Sequence, residues 1–456
     1  MKSEMKSALK KAGPKILLCI VLCCLGTCGP ISTRPALSGQ ASPFTLEDCV
    51  SIALENNLKI VQKQYEQQAR AYAKKATFKE MLPSLSTNYS YTGRRDAATI
   101  VIFGRTTTIY GHDEYKWDVT LKQPIFYGGL LWNRYKKAHI DVDLASLALF
   151  GAKNEIIKQT KVAYYQVVKS KMLLREAKAQ LTRLRAQYET VKAFYEASLR
   201  PKTDLLQSKV QLKQGELALI TARHQYDLAK NRLNLLMRRS LEAPLVIDEE
   251  VNPEVSCPPI ERLYQLATEN RPEIRQARLS VERARRDIQI ASSGFWPKVD
   301  LTASYTKDGV TPDVSDNPYG DHENALVLLN ASWEFFAWGK SMDKVAAAKR
   351  QLEAAKAQLQ DVIDHVRLEV KNAYLLFHDA KEGIKVARSA LDSAKEDYEL
   401  NVSRYKNQLA SNTDVLDAQS RLTKARSDYI SAVATELTAL ANIEYAIGRE
   451  LEQCMK

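Results

Sequence analysis

Cys28 has the most distinctive chemical setting in the chain. It closes Leu25-Gly26-Thr27-Cys28, which resembles the box at which a lipoprotein precursor is cut and its cysteine acylated, although Thr before the cysteine is unusual there. Ahead of it, Ile16 to Leu25 form a short apolar run preceded by Lys2, Lys6, Lys10, Lys11 and Lys15. That run is too short for a bilayer, which takes ~20 apolar residues, and with its basic flank residues 1–27 read as a secretory signal. Cys28 is then either a lipidated N-terminus or, like Cys19, Cys23 and Cys24, apolar filler in an ordinary leader. Elsewhere the chemistry is sparse. The six histidines are scattered, no His-x-x-x-His or Cys-x-x-Cys occurs, and Cys49, Cys257 and Cys454 have no metal-ligand spacing. Gly339-Lys340-Ser341 lacks the upstream glycine of a phosphate loop and reads as a strand end followed by a helix start. No enzyme, cofactor or metal site is expected.

The elements that position these residues must be long. Among 456 residues there are only 17 glycines and 15 prolines, so few points punctuate the chain. The formal charge of +12 falls to +8 once the five leader lysines and Glu4 are removed. The remaining Lys and Arg interleave with Glu and Asp along helical faces, which indicates a solvated surface and argues against nucleic-acid binding.

The chain also repeats itself. Ala53-Leu54-Glu55-Asn56-Asn57 matches Ala267-Thr268-Glu269-Asn270-Arg271 at an offset of 214, which also aligns Pro83 with Pro297 and Ser90-Tyr91 with Ser304-Tyr305. From Phe126 and Phe336 onward the offset is 210, through Gly129/Gly339, Tyr188/Tyr398, Tyr195/Tyr405, Asp204/Asp414 and Arg239/Arg449. A register held this long is a tandem duplication. The expected units are a first repeat over 45–239, a linker over 240–259 and a second repeat over 260–449.

Within each unit the hydrophobic period changes twice. A helical segment (about 45–81 and 260–294) begins with a capping box at Thr45/Asp48, and Pro272 suits the first turn of a new helix. A β-hairpin follows, about 84–123 and about 298–336, with Leu85, Thr87, Tyr89 and Tyr91 alternating against Ser86, Asn88, Ser90 and Thr92. Three of the four strands have a clean polar face; the fourth, with Leu326 and Leu328 on it, is mixed. Helical hairpins come last, about 130–239 and about 340–448. Ala163, Val167, Ser170, Leu174, Ala177 and Leu181 step by four and three, a sustained heptad that calls for coiled-coil packing. Without proline from Leu130 to Ser198, the outgoing helix would be roughly 100 Å long.

Strands of about ten residues, apolar on one face and polar on the other, fit a membrane barrel. Lipid permits no open sheet edge, and four strands cannot close one, so several chains must pool theirs. A soluble coiled-coil rod would explain the helices but not strands placed twice between them.

Leu82-Pro83-Ser84-Leu85, Gln123-Pro124-Ile125-Phe126, Phe295-Trp296-Pro297, Trp338-Gly339 and Thr413-Asp414-Val415-Leu416-Asp417-Ala418-Gln419 make the chain resemble the TolC family of outer-membrane efflux proteins from about residue 45 to 449. The resemblance implies a fold of α plus transmembrane β: a tandem-duplicated TolC-like fold. Its coiled-coil hairpins form an α-barrel, and each protomer contributes four strands to a shared trimeric outer-membrane β-barrel. It implies an exit duct of a tripartite efflux or type I secretion system, set in outer-membrane lipid and carrying a long periplasmic extension. The partners implied are a homotrimer, a periplasmic adaptor and an inner-membrane transporter of RND, ABC or MFS type. A periplasmic coiled-coil adaptor is the competing reading, but it would carry one hairpin in a β-rich domain; a structural envelope protein would conduct nothing.

The resemblance also assigns residues. Asp414 and Asp417 match an acidic pair at the periplasmic gate, where copies converging on an axis would attract cations. The alternative is that Asp414, following Asn412-Thr413, caps the returning helix, and the two roles can coexist. Thr203, Asp204 and Tyr405 match residues that hold the family's gate shut, while the expected clasp arginine is replaced by Ala410. Leu199, Arg200 and Pro201 in one turn, and Leu409, Ala410, Ser411 and Asn412 in the other, would be the adaptor-docking tips. Gln408 stands where a glycine is usual.

Overall fold

The computed structural model describes residues 43–248, 257–318 and 323–451. The leader over 1–27, Cys28, Cys454 and residues 249–256 of the linker lie outside the described residues. Each copy opens with two helices, α1 (Leu46–Asn56) and α2 (Leu58–Lys79), then α5 (Ile260–Asn270) and α6 (Pro272–Ser292). Thr45 and Asp48 form the reciprocal capping box that starts α1. The helical segment is broken in both copies by one extended residue, Asn57 (ψ 126°), which was not expected, and Arg271 (ψ 123°), after which Pro272 opens a new helix as the sequence implies. Proline at 272 forces the second break, because its ring disfavours helical geometry in the residue before it. At the first break Asn57 caps α2 through its side chain and donates to the Leu236 carbonyl at 3.2 Å.

The strands are β1 (Ser84–Gly93), β2 (Ala98–Ile102), β3 (Arg105–Tyr110) and β4 (Asp113–Phe126) in the first copy. The second has β5 (Lys298–Gly309) and β6 (Glu323–Ser332). An antiparallel sheet runs β1-β4-β5-β6, with β1 and β6 at its edges. Its register aligns the apolar set on one face: Tyr89 opposite Trp117, Tyr91 opposite Tyr115, Val119 opposite Tyr305 and Ala303 opposite Val327. Thr120, Ser304, Thr302 and Lys122 share the other face. The β2–β3 hairpin was not expected. It turns at Phe103-Gly104, where both residues have positive φ (49° and 78°), the conformation that two-residue hairpins require.

Long helices α3 (Leu130–Glu196) and α7 (Lys340–Lys406) have 67 residues each, about 100 Å at 1.5 Å per residue. Their returning partners α4 (Lys202–Leu236) and α8 (Asn412–Ile447) have 35 and 36, little more than half that reach. The shorter α2 and α6 pack on the rest of α3 and α7, so each long helix is flanked along its whole length. In one half the wall runs α4–α3–α8–α7, in the other α2–α3–α6–α7.

Two matching cores hold the repeats together. Cys49, Ala53, Tyr164, Val167, Leu233 and Met237 form one; Leu263, Ala267, Phe377, Ile443 and Ile447 form the other. Full burial of each large side chain contributes about 1.5–3 kcal/mol. Between the copies, Glu176 of α3 is buried and accepts from Arg183 and, at 3.0 Å, from Arg426 of α8. No described helix is long and apolar enough to cross a membrane, and no group of His, Cys, Asp or Glu among the described residues could hold a metal.

Candidate functional site: the paired hairpin tips

Both helical hairpins reverse by the same turn. Ser198 (φ 58°) and Gln408 (φ 62°) take the left-handed conformation after the last helical turn. Leu199 N–H then reaches back to Phe194 O and Leu409 N–H to Arg404 O, both at 2.8 Å, which satisfies carbonyls the helix ends leave open. A glycine would be the relaxed choice; Gln408 adopts the same geometry at a cost of about 1 kcal/mol. The next helices start at Lys202 and Asn412.

The α7–α8 turn has the stronger helix start. Ser411 is the N-cap, and its hydroxyl accepts from Asp414 N–H at 3.1 Å while the Asp414 carboxylate accepts from Ser411 N–H at 2.8 Å. The cap is therefore Ser411 with Asp414 closing the box at the third helical position, rather than Asp414 capping alone. The Ser411 backbone bond, then its hydroxyl, then the nearby charges of Arg404 and Arg421 hold the Asp414 carboxyl below its ordinary range. Asp417 lies one turn further on the same side, and both aspartates are exposed.

Of the expected docking residues, Leu199 (55% exposed) and Leu409 (70%) stand out at equivalent positions of the two turns. Pro201 and Ser411 are also exposed, while Arg200 and Ala410 are half-buried. Asn412 is the exception. It is 1% exposed and forms the first residue of α8, not part of the turn. Its amide accepts from Gln187 at 3.0 Å and from Ser208 at 3.2 Å, and donates to Asp204 O at 3.3 Å. Three helices meet on it, so it belongs to the interior that carries the tip.

The expected clasp residues are only partly brought together. Thr203 is exposed and Asp204 half-buried at the start of α4. Tyr405 is 1% exposed, packed with Val191, Val415, Phe194 and Leu205. Its hydroxyl has no hydrogen-bond partner among the described residues. Burial pushes the Tyr405 phenol up; the charge of Arg200 opposes that and Asp204 adds to it. What reaches Tyr405 is Arg200, whose guanidinium lies 5.0 Å from the ring centroid and donates to Ala410 O at 3.0 Å. Sequence reasoning placed Arg200 at the tip but missed this contact. The only signal for it was the 210-residue offset, which pairs Arg200 with Ala410.

The sequence profile of the outer membrane efflux protein family matches residues 49–237 and 263–449, one match per repeat. The chain belongs to that family. Among curated relatives, the alkaline protease secretion protein AprF of Pseudomonas aeruginosa is 24% identical over 90% of this chain and 86% of its own. The outer membrane protein TolC of Escherichia coli is 24% identical over 65% of this chain and 62% of its own. Among solved structures, CmeC, the outer membrane channel of Campylobacter jejuni, superposes with a TM-score of 0.77 at 17% identity, covering 93% of this chain and 94% of that one. VceC, an outer membrane protein of Vibrio cholerae, gives 0.76 at 16% identity, covering 89% and 96%. This outer membrane efflux protein is thus an outer-membrane channel, the exit duct of an export system, with its long helices in the periplasm. Members of the family are channels rather than enzymes.

Proposed function

We propose that this channel works as a homotrimer gated at the paired hairpin tips, with Asp414 and Asp417 as the acidic ring of the gate and the exposed turns as the docking surface for a periplasmic adaptor. The observation that carries the reading is the placement of both carboxylates, exposed and on one side of α8, at the end remote from the sheet. Three copies would bring six carboxylates to one constriction, which concentrates cations and repels anions. Asp414 can serve both roles, because a carboxylate in a capping box keeps its charge and its outer lone pairs. Leu199 and Leu409 supply apolar contacts, one per turn, that an adaptor's helical tips could cover. The class of transporter behind the adaptor, RND, ABC or MFS, follows from the partner and not from these residues.

Planar-bilayer recordings of the purified channel test the gate. Asp414→Asn with Asp417→Asn should weaken block by a trivalent cation about tenfold or more, since each lost carboxylate removes an attraction of order 1 kcal/mol. Block unchanged in the double variant would leave Asp414 as a helix-start group only and Asp417 as a surface residue of α8.

A further inference from the structure

Arg200 and Ala410 are separated by 210 residues, the interval that relates the two copies over their helical hairpins. The arginine absent from the α7–α8 turn therefore stands at the matching place in the α3–α4 turn. From there it reaches across to the other hairpin, stacking at 5.0 Å on Tyr405 of α7 and donating to the Ala410 carbonyl. Both of its acceptors are on the second hairpin, and neither is a carboxylate. The Tyr405 hydroxyl is buried and unpartnered among the described residues, so the contact uses the face of the ring. Asp204 lies near enough to influence the phenol yet makes no hydrogen bond to it.

We propose that Arg200 is the latch joining the two hairpins of each protomer: it holds the α7–α8 turn to the α3–α4 turn through a backbone carbonyl and an aromatic face, and its release frees the second turn to move. The latch rests on the tips being the gate. A guanidinium suits this work because it is planar, stacks on a ring and donates in its own plane at the same time; an ammonium does one or the other. The consequence separates this latch from a tyrosine–carboxylate clasp. In that clasp the Tyr405 hydroxyl and the Asp204 carboxylate carry the closed state; here both are dispensable.

The experiment records conductance and open probability of the full-length channel in planar bilayers for Arg200→Ala, Arg200→Lys, Tyr405→Phe and Asp204→Asn, each first shown by sizing to assemble as the wild type does. Arg200→Ala should raise the open population about tenfold, the factor expected for losing one charge-assisted hydrogen bond and a stacked cation. Arg200→Lys should fall between it and wild type, which keeps the test available should the alanine variant assemble poorly. Tyr405→Phe and Asp204→Asn should gate like the wild type. The latch is overturned by silent Arg200 variants, or by Tyr405→Phe or Asp204→Asn opening the channel as far as Arg200→Ala does. Cation block measured on Asp414→Asn/Asp417→Asn separates the two failures: if it weakens while the Arg200 variants stay silent, the gate stands without this latch, and if nothing changes, both fall.

Discussion

Asp414 and Asp417 are three residues apart and read alike in the sequence, yet the structure gives them different work. Asp414 is tied into the helix start by two hydrogen bonds with Ser411, whereas Asp417 has only its place on the helix surface. Asp414→Ala should therefore speed amide exchange at Ser411 to Val415, and Asp417→Ala should leave those amides unchanged; equal effects would remove the distinction. The same logic sets a pH dependence. Because the folded carboxyl is held below its ordinary value, the cap's contribution is complete above the unfolded carboxylate range near pH 4 and is lost as pH falls through the lowered folded value. Protection at the tip should consequently persist through mildly acid pH and fail only in strong acid. Neither Asn412 nor Arg200 could be assigned this way from sequence. Asn412 reads as a turn residue because asparagine favours turns, and its burial depends on Gln187 and Ser208, more than 200 residues away.

At the scale of the elements, most of the architecture was legible because the signals were periodic. Heptads marked the long helices, alternation marked the strands, and the offset of 210 links Gly129 with Gly339 as the left-handed residues that open α3 and α7. Less legible were features set by non-periodic contacts: the break at Asn57 and the β2–β3 hairpin. Ties between elements were also hidden, and Glu176 is the clearest. A carboxylate on a helix face ordinarily signals solvent, but here it is enclosed with Arg183 and Arg426 and joins the first hairpin to the second. Removing one member of a buried ion group leaves the others unpaired, which costs about 3–5 kcal/mol. Glu176→Gln should lower the thermal midpoint of the assembled protein by several degrees. A Glu176→Gln/Arg426→Gln double variant should lose less than the sum of its singles, and strict additivity would show that the group does not act as a unit.

At the largest scale, the described residues from Pro43 onward form a segment of wall with unfinished edges. Among the described residues the sheet ends at β1 and β6, neither of which has a further strand beside it, and in the half of the wall that ends at the tips α4 and α7 lie outermost. The edge helix α4 carries a second stripe besides its buried seam: Leu206, Val210, Leu217, Ile220, Leu228 and Leu235 are all exposed. Their steps of three, four, seven and eight residues keep them on one face, as in a coiled-coil seam, and one helix with two seams must pack on both sides. On α2, Leu58, Tyr65 and Tyr72 recur every seven residues and are likewise exposed. Edge strands and open seams occur together in one segment, so a single operation that adds neighbouring copies would close both. Replacing Leu217 and Leu228 together by Asp should leave the α3–α4 seam intact, because neither residue takes part in it, while placing two charges in the seam between copies. Sizing in detergent should then move from about three times the 51.4 kDa chain mass toward the single chain. A double variant that still runs as a trimer would mean that the strands alone hold the copies together and that the outer face of α4 is not an interface.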